Sequence, residues 1–244
     1  MSQSAAPSYA ERAQRYRRRQ LELFDLLEEK ASRGEFGSFI PIAENFADDN
    51  RTSLAAIKFL PQSLSEKIWR ELSSPLQDLD GHQFFFAQES LHMTVQNVRK
   101  VSDVLNFGSK EIGSACAVLR KSAQQFGTFK FSLEGLMIMP GSVAIRAIAE
   151  PRFGEFSRFV RDELKRAGVA DDKPYIDDDV IFGNITFCRF TKEPSVSFRA
   201  KLRELKAQTF GTVEIDSFAL ATTNAICDLN KTVEHESFAL LGSR

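Results

Sequence analysis

The chain has 244 residues, 43% of them hydrophobic and 27% charged, with 32 lysines and arginines against 33 aspartates and glutamates. That length allows one large domain or two small ones around a sizeable core, and the composition excludes a largely disordered chain. A formal net charge of −1 and a pI near 6.4 exclude the massed phosphate neutralisation behind non-specific duplex binding, though not a local basic pocket.

Phenylalanine is over-used, 22 copies against 3 tyrosines and 1 tryptophan, which implies a strongly aromatic core. Cys116, Cys188 and Cys227 are far apart, odd in number and form no C-x-x-C pair. A disulfide scaffold or zinc ribbon is therefore not expected. No segment reaches the roughly 20 apolar residues needed to span a bilayer, and the arginine-rich first 19 residues lack the apolar centre of a secretory signal. The expectation is a cytoplasmic protein with no membrane contact, no metal and no cofactor.

In chain order, residues 1–50 read as an N-terminal helical extension and 51–244 as the body. Ser8 and Glu11 form a capping-box pattern opening a helix to about Ser32, before Gly34. Tyr16, Leu23, Phe24 and Leu27 share one face. Arg12, Arg15, Arg17, Arg18 and Arg19 crowd its first half and read most simply as a solvated face with pairs such as Glu11 and Arg15; the alternatives for the run are a nucleic-acid or acidic-membrane contact or a transit peptide, and in a binding module the helix would meet an unknown protein partner. An irregular stretch, 41–51, follows. The body opens with a strand over Ser53–Leu60 and a helix over Ser63–Leu72. Two short strands, Phe84–Phe86 and Leu91–Val98, are joined by a polar turn, and a helix spans Ile112–Phe126. Phe129–Met139 and Val143–Ala149 flank a Pro140-Gly141 turn, a hairpin signal. The pattern ends with a helix over Phe153–Ala167, an acidic loop, a strand over Val180–Phe190, a helix near Val196–Ala207, and closing strands Thr212–Thr222 and Thr232–Leu241. Mixed elements without strict alternation imply an α+β fold of two similar lobes with antiparallel sheets.

There are three histidines. In Leu91-His92-Met93-Thr94-Val95, strand alternation places His92 and Thr94 on one face. A hydroxyl beside an imidazole suits a phosphoryl group, one donating a hydrogen bond and the other exchanging a proton near neutral pH; a hydrogen-bonded structural histidine is the plainer alternative. Asn184-Ile185-Thr186-Phe187 repeats the parity 92 residues later. One such strand per lobe, facing across a cleft, brackets a phosphate between two threonines.

At these residues the chain resembles the two-histidine phosphoesterase superfamily, which includes 2′-5′ RNA ligase-like proteins and RNA 2′,3′-cyclic phosphodiesterases. Glu89–Val95 is similar to its first motif strand, Gly135-Leu136 with Pro140–Ala144 to its central hairpin, and Asn184–Phe190 to its second motif with the following arginine. The resemblance covers about residues 53–242. It implies a bilobal, pseudo-duplicated fold with a central cleft, metal-free phosphodiester chemistry, and a partner that is an RNA end or a small nucleotide phosphate. It also implies catalytic roles for His92, Thr94, Asn184 and Thr186.

Asn184 stands where the family has its second histidine. An amide holds a phosphoryl oxygen but does not titrate near pH 7, and one lost general acid or base costs about 10²–10⁴ in rate. The sequence thus supports a cyclic phosphodiesterase with a one-histidine site, or a catalytically silent nucleotide-binding module. His82 and His235 are the candidates to replace the missing imidazole. Arg146 and Arg189 project from strands near the inferred cleft and Tyr175 is placed to stack a base, making these three the expected substrate-binding residues. Cys188 shares the parity of Asn184 and Thr186. Asp171, Asp172, Asp177, Asp178 and Asp179 lack the spacing of a calcium loop and read as a solvated acidic segment.

Overall fold

A computed structural model describes residues 8–37 and 51–242; all but the last residue of the expected 41–51 stretch lies outside them. Helix α1 (Tyr9–Ser32) begins with the expected capping box, the Ser8 Oγ accepting from the Glu11 backbone and the Glu11 carboxylate accepting from the Ser8 N–H. Strand β1 (Thr52–Phe59) leads to helix α2 (Gln62–Ile68), a π-helical turn (Trp69–Ser73) and α3 (Ser74–Leu79). Then come β2 (Phe84–Phe85), β3 (His92–Ser102), α4 (Ser109–Ala123), β4 (Phe129–Met139), β5 (Ser142–Ala149) and α5 (Pro151–Arg166). The chain closes with β6 (Gly183–Arg189), α6 (Val196–Leu205), β7 (Thr209–Ile215), β8 (Ser217–Thr223) and β9 (Val233–Ala239).

The fold is α+β with two antiparallel sheets. One has the order β3-β1-β8-β9 and the other β2-β6-β5-β4-β7. Apart from the short β2, the orders correspond strand for strand: β3 matches β6, β1 matches β5, β8 matches β4 and β9 matches β7. Two expectations are corrected. β2 pairs with β6 of the opposite sheet, Phe84 beside Arg189 and Phe85 beside Cys188, so it belongs to the second lobe. The expected Thr212–Thr222 strand is two strands in different sheets, broken at Asp216, whose carboxylate takes the Lys58 ammonium at 2.6 Å and the Ser217 hydroxyl at 2.9 Å.

The core is as aromatic as the composition implies: Phe129, Phe131, Phe153, Phe156, Phe187, Phe190 and Phe198 are all buried. Phe129 meets Phe153 edge-on and Phe156 at a tilt, while Phe153 and Phe156 stack, with ring centroids 5.1–6.1 Å apart, distances at which such pairs attract beyond their buried area.

Helix α1 lies on the second sheet. Phe24 packs with Met137, Ala144 and Ile148. Gln20 uses both amide atoms on Ala149, accepting from its N–H at 2.8 Å and donating to its carbonyl at 2.9 Å. Tyr16 closes against α5 at Gly154, where a Cβ would sit 2.5 Å from the tyrosine oxygen. The arginine run is only partly a solvated face, because Arg17 pairs with Glu134 of β4 at 2.5 Å and Arg19 with Asp177 at 2.9 Å.

Candidate functional site

The two motif strands share a local irregularity. On β3, Thr94 pairs with Ile57 and Gln96 with Ala56, leaving Val95 as a bulge. On β6, Thr186 pairs with Ala144 and Cys188 with Val143, leaving Phe187 as a bulge. Each sheet therefore breaks register one residue after its threonine, and a bulge re-aims the side chains around it. His92 and Thr94 fall on one face of β3 with Met93 buried behind; Asn184 and Thr186 do the same on β6 with Ile185 behind, and the Asn184 amide donates to the Thr186 hydroxyl at 3.2 Å. The strands come close because residue 183 is glycine: a Cβ there would meet the Met93 methyl at 2.5 Å and the Phe131 ring at 3.0 Å.

His92, Thr94, Asn184 and Thr186 line one cavity of about 350 Å³, together with Tyr175, Arg189, Lys173, Asn224 and Cys227. No aspartate or glutamate is among its described lining residues, so its charged groups are all cationic. Arg189 has no carboxylate partner among the described residues, and its buried Nε makes no hydrogen bond. Burial, and then the nearby Arg51 charge, lower its pKa from the usual guanidinium value. Burial likewise lowers the Lys173 ammonium, which Asp171 partly offsets. Asn224 is 3% exposed and spends its Oδ1 on the backbone N–H groups of Ile226 and Asp228, while its Nδ2 has no partner. Buried unpaired donors are costly; of the four such side-chain atoms among the described residues, Arg189 Nε and Asn224 Nδ2 belong to residues lining this cavity, while Ser73 Oγ and Arg146 Nε lie elsewhere, and the complement of the first two is an anion.

His92 is fixed by its own strand start. Its Nδ1 lies 2.8 Å from the Ser90 carbonyl; a carbonyl only accepts, so Nδ1 carries a proton and Nε2 is the nitrogen left for chemistry. Cys227 neighbours the ring. It is the one non-glycine residue at positive φ (53°) among the described residues, a conformation that costs about 1–3 kcal/mol and persists only where the surroundings enforce it. The enforcing group is Asn224, whose carbonyl takes the Cys227 N–H at 3.2 Å. Burial opposes the charge on each partner, yet the contact wins on both sides. His92 is raised above its ordinary value by Cys227 and the Ser90 carbonyl, against opposition from Arg189. The Cys227 thiol is lowered by His92 and by the hydroxyls of Thr223 and Thr232. The contact favours the charged form of each partner.

Six of the seven expected site residues thus come together: His92, Thr94, Asn184, Thr186, Tyr175 and Arg189. Tyr175 is held by Gln96, which donates to its hydroxyl at 2.8 Å, and by Arg161 stacked 3.9 Å above its ring; burial, with Asp171 adding to it, raises its pKa to about 12. The seventh is displaced. Arg146 pairs with Asn184 across the sheet and shares its face, but its guanidinium is taken by Glu28 and Asp25 of α1 and lies over the Phe24 ring. Cys188 is also corrected: the Phe187 bulge reverses the parity and buries its thiol in the core, where burial lifts its pKa well above the ordinary value. His82 is exposed and outside the cavity, and His235 bonds the Thr222 hydroxyl at 2.8 Å. The acidic loop is neutralised by arginines, Asp177 by Arg19, Asp178 by Arg161 and Asp179 by Arg158. Sequence reasoning missed Lys173, Asn224 and Cys227; the turn-like Asn224–Asp228 segment was the only hint of the last two.

No family model matches the chain, and no curated protein does. Solved structures do match. A phosphoesterase crystal structure superposes with a TM-score of 0.54 at 14% identity, covering 78% of this chain and 99% of the other. TT0787 of Thermus thermophilus gives 0.53 at 18% identity, covering 80% and 100%. LigT of E. coli, complexed with 3′-AMP, gives 0.51 at 15% identity, covering 78% and 98%. At these identities the likeness is one of fold: the chain has the two-sheet architecture of the phosphoesterase and LigT structures.

Proposed function

We propose that the cavity binds the phosphate of a nucleotide or an RNA end, and that His92 opens 2′,3′-cyclic phosphates there as the single titrating group of a two-strand site. The observation that carries this reading is the set of unsatisfied buried donors, Arg189 Nε and Asn224 Nδ2, on a cavity that also holds both threonines and has no described carboxylate. The fold likeness to LigT, a protein solved with 3′-AMP and with ATP, supports the same ligand class.

In this reading Thr94, Thr186 and Arg189 hold the phosphoryl oxygens and Asn184 orients them. Nε2 of His92 takes the proton of the attacking water, or returns one to the departing ribose oxygen. Water supplies the second proton transfer, which sets turnover about 10²–10⁴ below that of a site with two imidazoles. One observation favours a second reading, recognition without turnover: the Asn184 amide is already engaged by Thr186, so the second strand offers no group that titrates near neutrality.

A 2′,3′-cyclic nucleotide assay separates the two. Slow hydrolysis that disappears in His92→Ala supports the enzyme. Binding of 3′-AMP that needs Arg189, without hydrolysis at any enzyme concentration, supports the module. Neither hydrolysis nor binding removes both.

A further inference from the structure

A second cavity, of about 310 Å³, adjoins the first and shares Lys173, Tyr175, Ile181, Phe182 and Asn184 with it. Its outer walls differ in character. Leu23 and Leu27 come from α1, Met137 and Met139 from β4, and Ile176 from the acidic loop. The anion cavity thus adjoins, at Asn184, a mainly apolar chamber whose lining also includes Lys173 and Asp177, and the two together lie in the size range of ordinary small-molecule sites.

The chamber's walls are held from several sides. The Tyr16 hydroxyl donates to the Ile181 carbonyl at 2.8 Å and accepts from the Ile181 N–H at 2.9 Å. Arg19 holds Asp177 in the same loop. Phe182 lies against Phe24 with centroids 4.5 Å apart. Glu28, 4% exposed, pins the helix end by accepting from the Ile138 N–H at 2.7 Å and by engaging Arg146. A pocket so braced loses little entropy when a ligand enters it. Methionine walls adapt to flat rings, which they contact favourably through sulfur.

We infer that α1 builds the ring subsite of this site: phosphate sits on the Arg189 side of Asn184, and the base of the same nucleotide lies between Leu27, Met139 and Phe182. This rests on the anion-binding reading of the first cavity and names its ligand class, a nucleoside phosphate as opposed to bare phosphate or a sugar phosphate. It also gives α1 a role in selectivity.

The test is calorimetric titration of the full chain with inorganic phosphate, ribose 5-phosphate, 5′-AMP and adenosine. The expected result is an affinity at least tenfold higher for 5′-AMP than for ribose 5-phosphate. The neutral variants Leu27→Ser and Met139→Gln should abolish that gain and leave phosphate affinity unchanged. A gain below twofold, or one that survives these variants, overturns the ring subsite while the anion site stands. If phosphate does not bind, the anion reading falls. The ring subsite is then judged on adenosine alone, supported by binding that the variants abolish and overturned by its absence.

Discussion

Strands β3 and β6 are the same device carrying different chemistry. Both present a polar residue and a threonine on one face, break register immediately after the threonine, and contribute to one cavity. The β3 copy carries an imidazole hooked to Ser90 and set beside Cys227. The β6 copy carries an amide bonded to its own threonine, and three positions further along it carries Arg189 where β3 has Asn97, which also lines the cavity. One strand therefore holds the titrating group and the other the permanent charge. A duplicated frame fixes where two side chains meet; it leaves each free to specialise in proton transfer or in holding an anion.

Making the two strands equal is the largest perturbation. Asn184→His restores a second titrating group, and turnover of a 2′,3′-cyclic nucleotide should rise about 10²–10⁴-fold, equivalent to roughly 3–5.5 kcal/mol of barrier. The measurement is kcat for the wild type, the variant and the variant combined with His92→Ala. The double variant, again with one imidazole, should lose that gain and fall to the wild-type level or below. An unchanged kcat in the single variant would mean that residue 184 does not face the reacting phosphate.

Removing the charge from the other strand comes next. A hydrogen bond to a charged group is worth about 1.5–3 kcal/mol, so Arg189→Met should weaken phosphate or 3′-AMP binding about 10–150-fold in a titration. The same change removes a partly buried cation with no carboxylate partner among the described residues, so the ligand-free protein should melt no lower than the wild type while losing its phosphate-induced rise in melting temperature. A large fall in melting temperature without ligand would instead assign Arg189 a structural role.

A third change acts on the approach of the strands and on neither chemistry. Gly183→Ala drives a Cβ into the Met93 methyl and the Phe131 ring. Such overpacking costs about 1–3 kcal/mol, read as a lower denaturant midpoint, and a further activity loss without loss of the fold would show that strand separation itself matters.

The frame was legible from the sequence because it rests on local rules. Period-two alternation placed His92 with Thr94 and Asn184 with Thr186; the capping box and Gly34 bounded α1; Pro140-Gly141 joined β4 to β5. What escaped depends on partners far along the chain. The Phe187 bulge, which sends Cys188 into the core and Arg189 to the cavity, is a property of pairing with β5 and leaves no mark in β6 alone. Arg146 and Arg189 looked equivalent until Glu28, more than a hundred residues away, claimed the first. Two residues, Phe84 and Phe85, joined the opposite sheet because β6 had an open edge there.

Cys227 is the residue most remote from any sequence signal, and it supplies the finest test of the contrast between the strands. Its contact with His92 raises the imidazole pKa and lowers the thiol's. A histidine raised on folding stabilises the protein below its unfolded value, near 6.5, and loses that contribution as pH climbs through the folded value. A thiol lowered on folding stabilises above its unfolded value, near 8.5, and loses that contribution as pH falls through the folded one. Cys227→Ser removes the thiol, so the charged form of the imidazole is opposed by burial and the Arg189 charge with only the Ser90 carbonyl in its favour. The His92 midpoint, followed by proton NMR of its ring, should therefore move downward, and the acid limb of any pH–rate profile should move with it. A midpoint that stays put would show that the Cys227 contact does not set the imidazole's charge, and that the strained cysteine turn serves only to line the cavity.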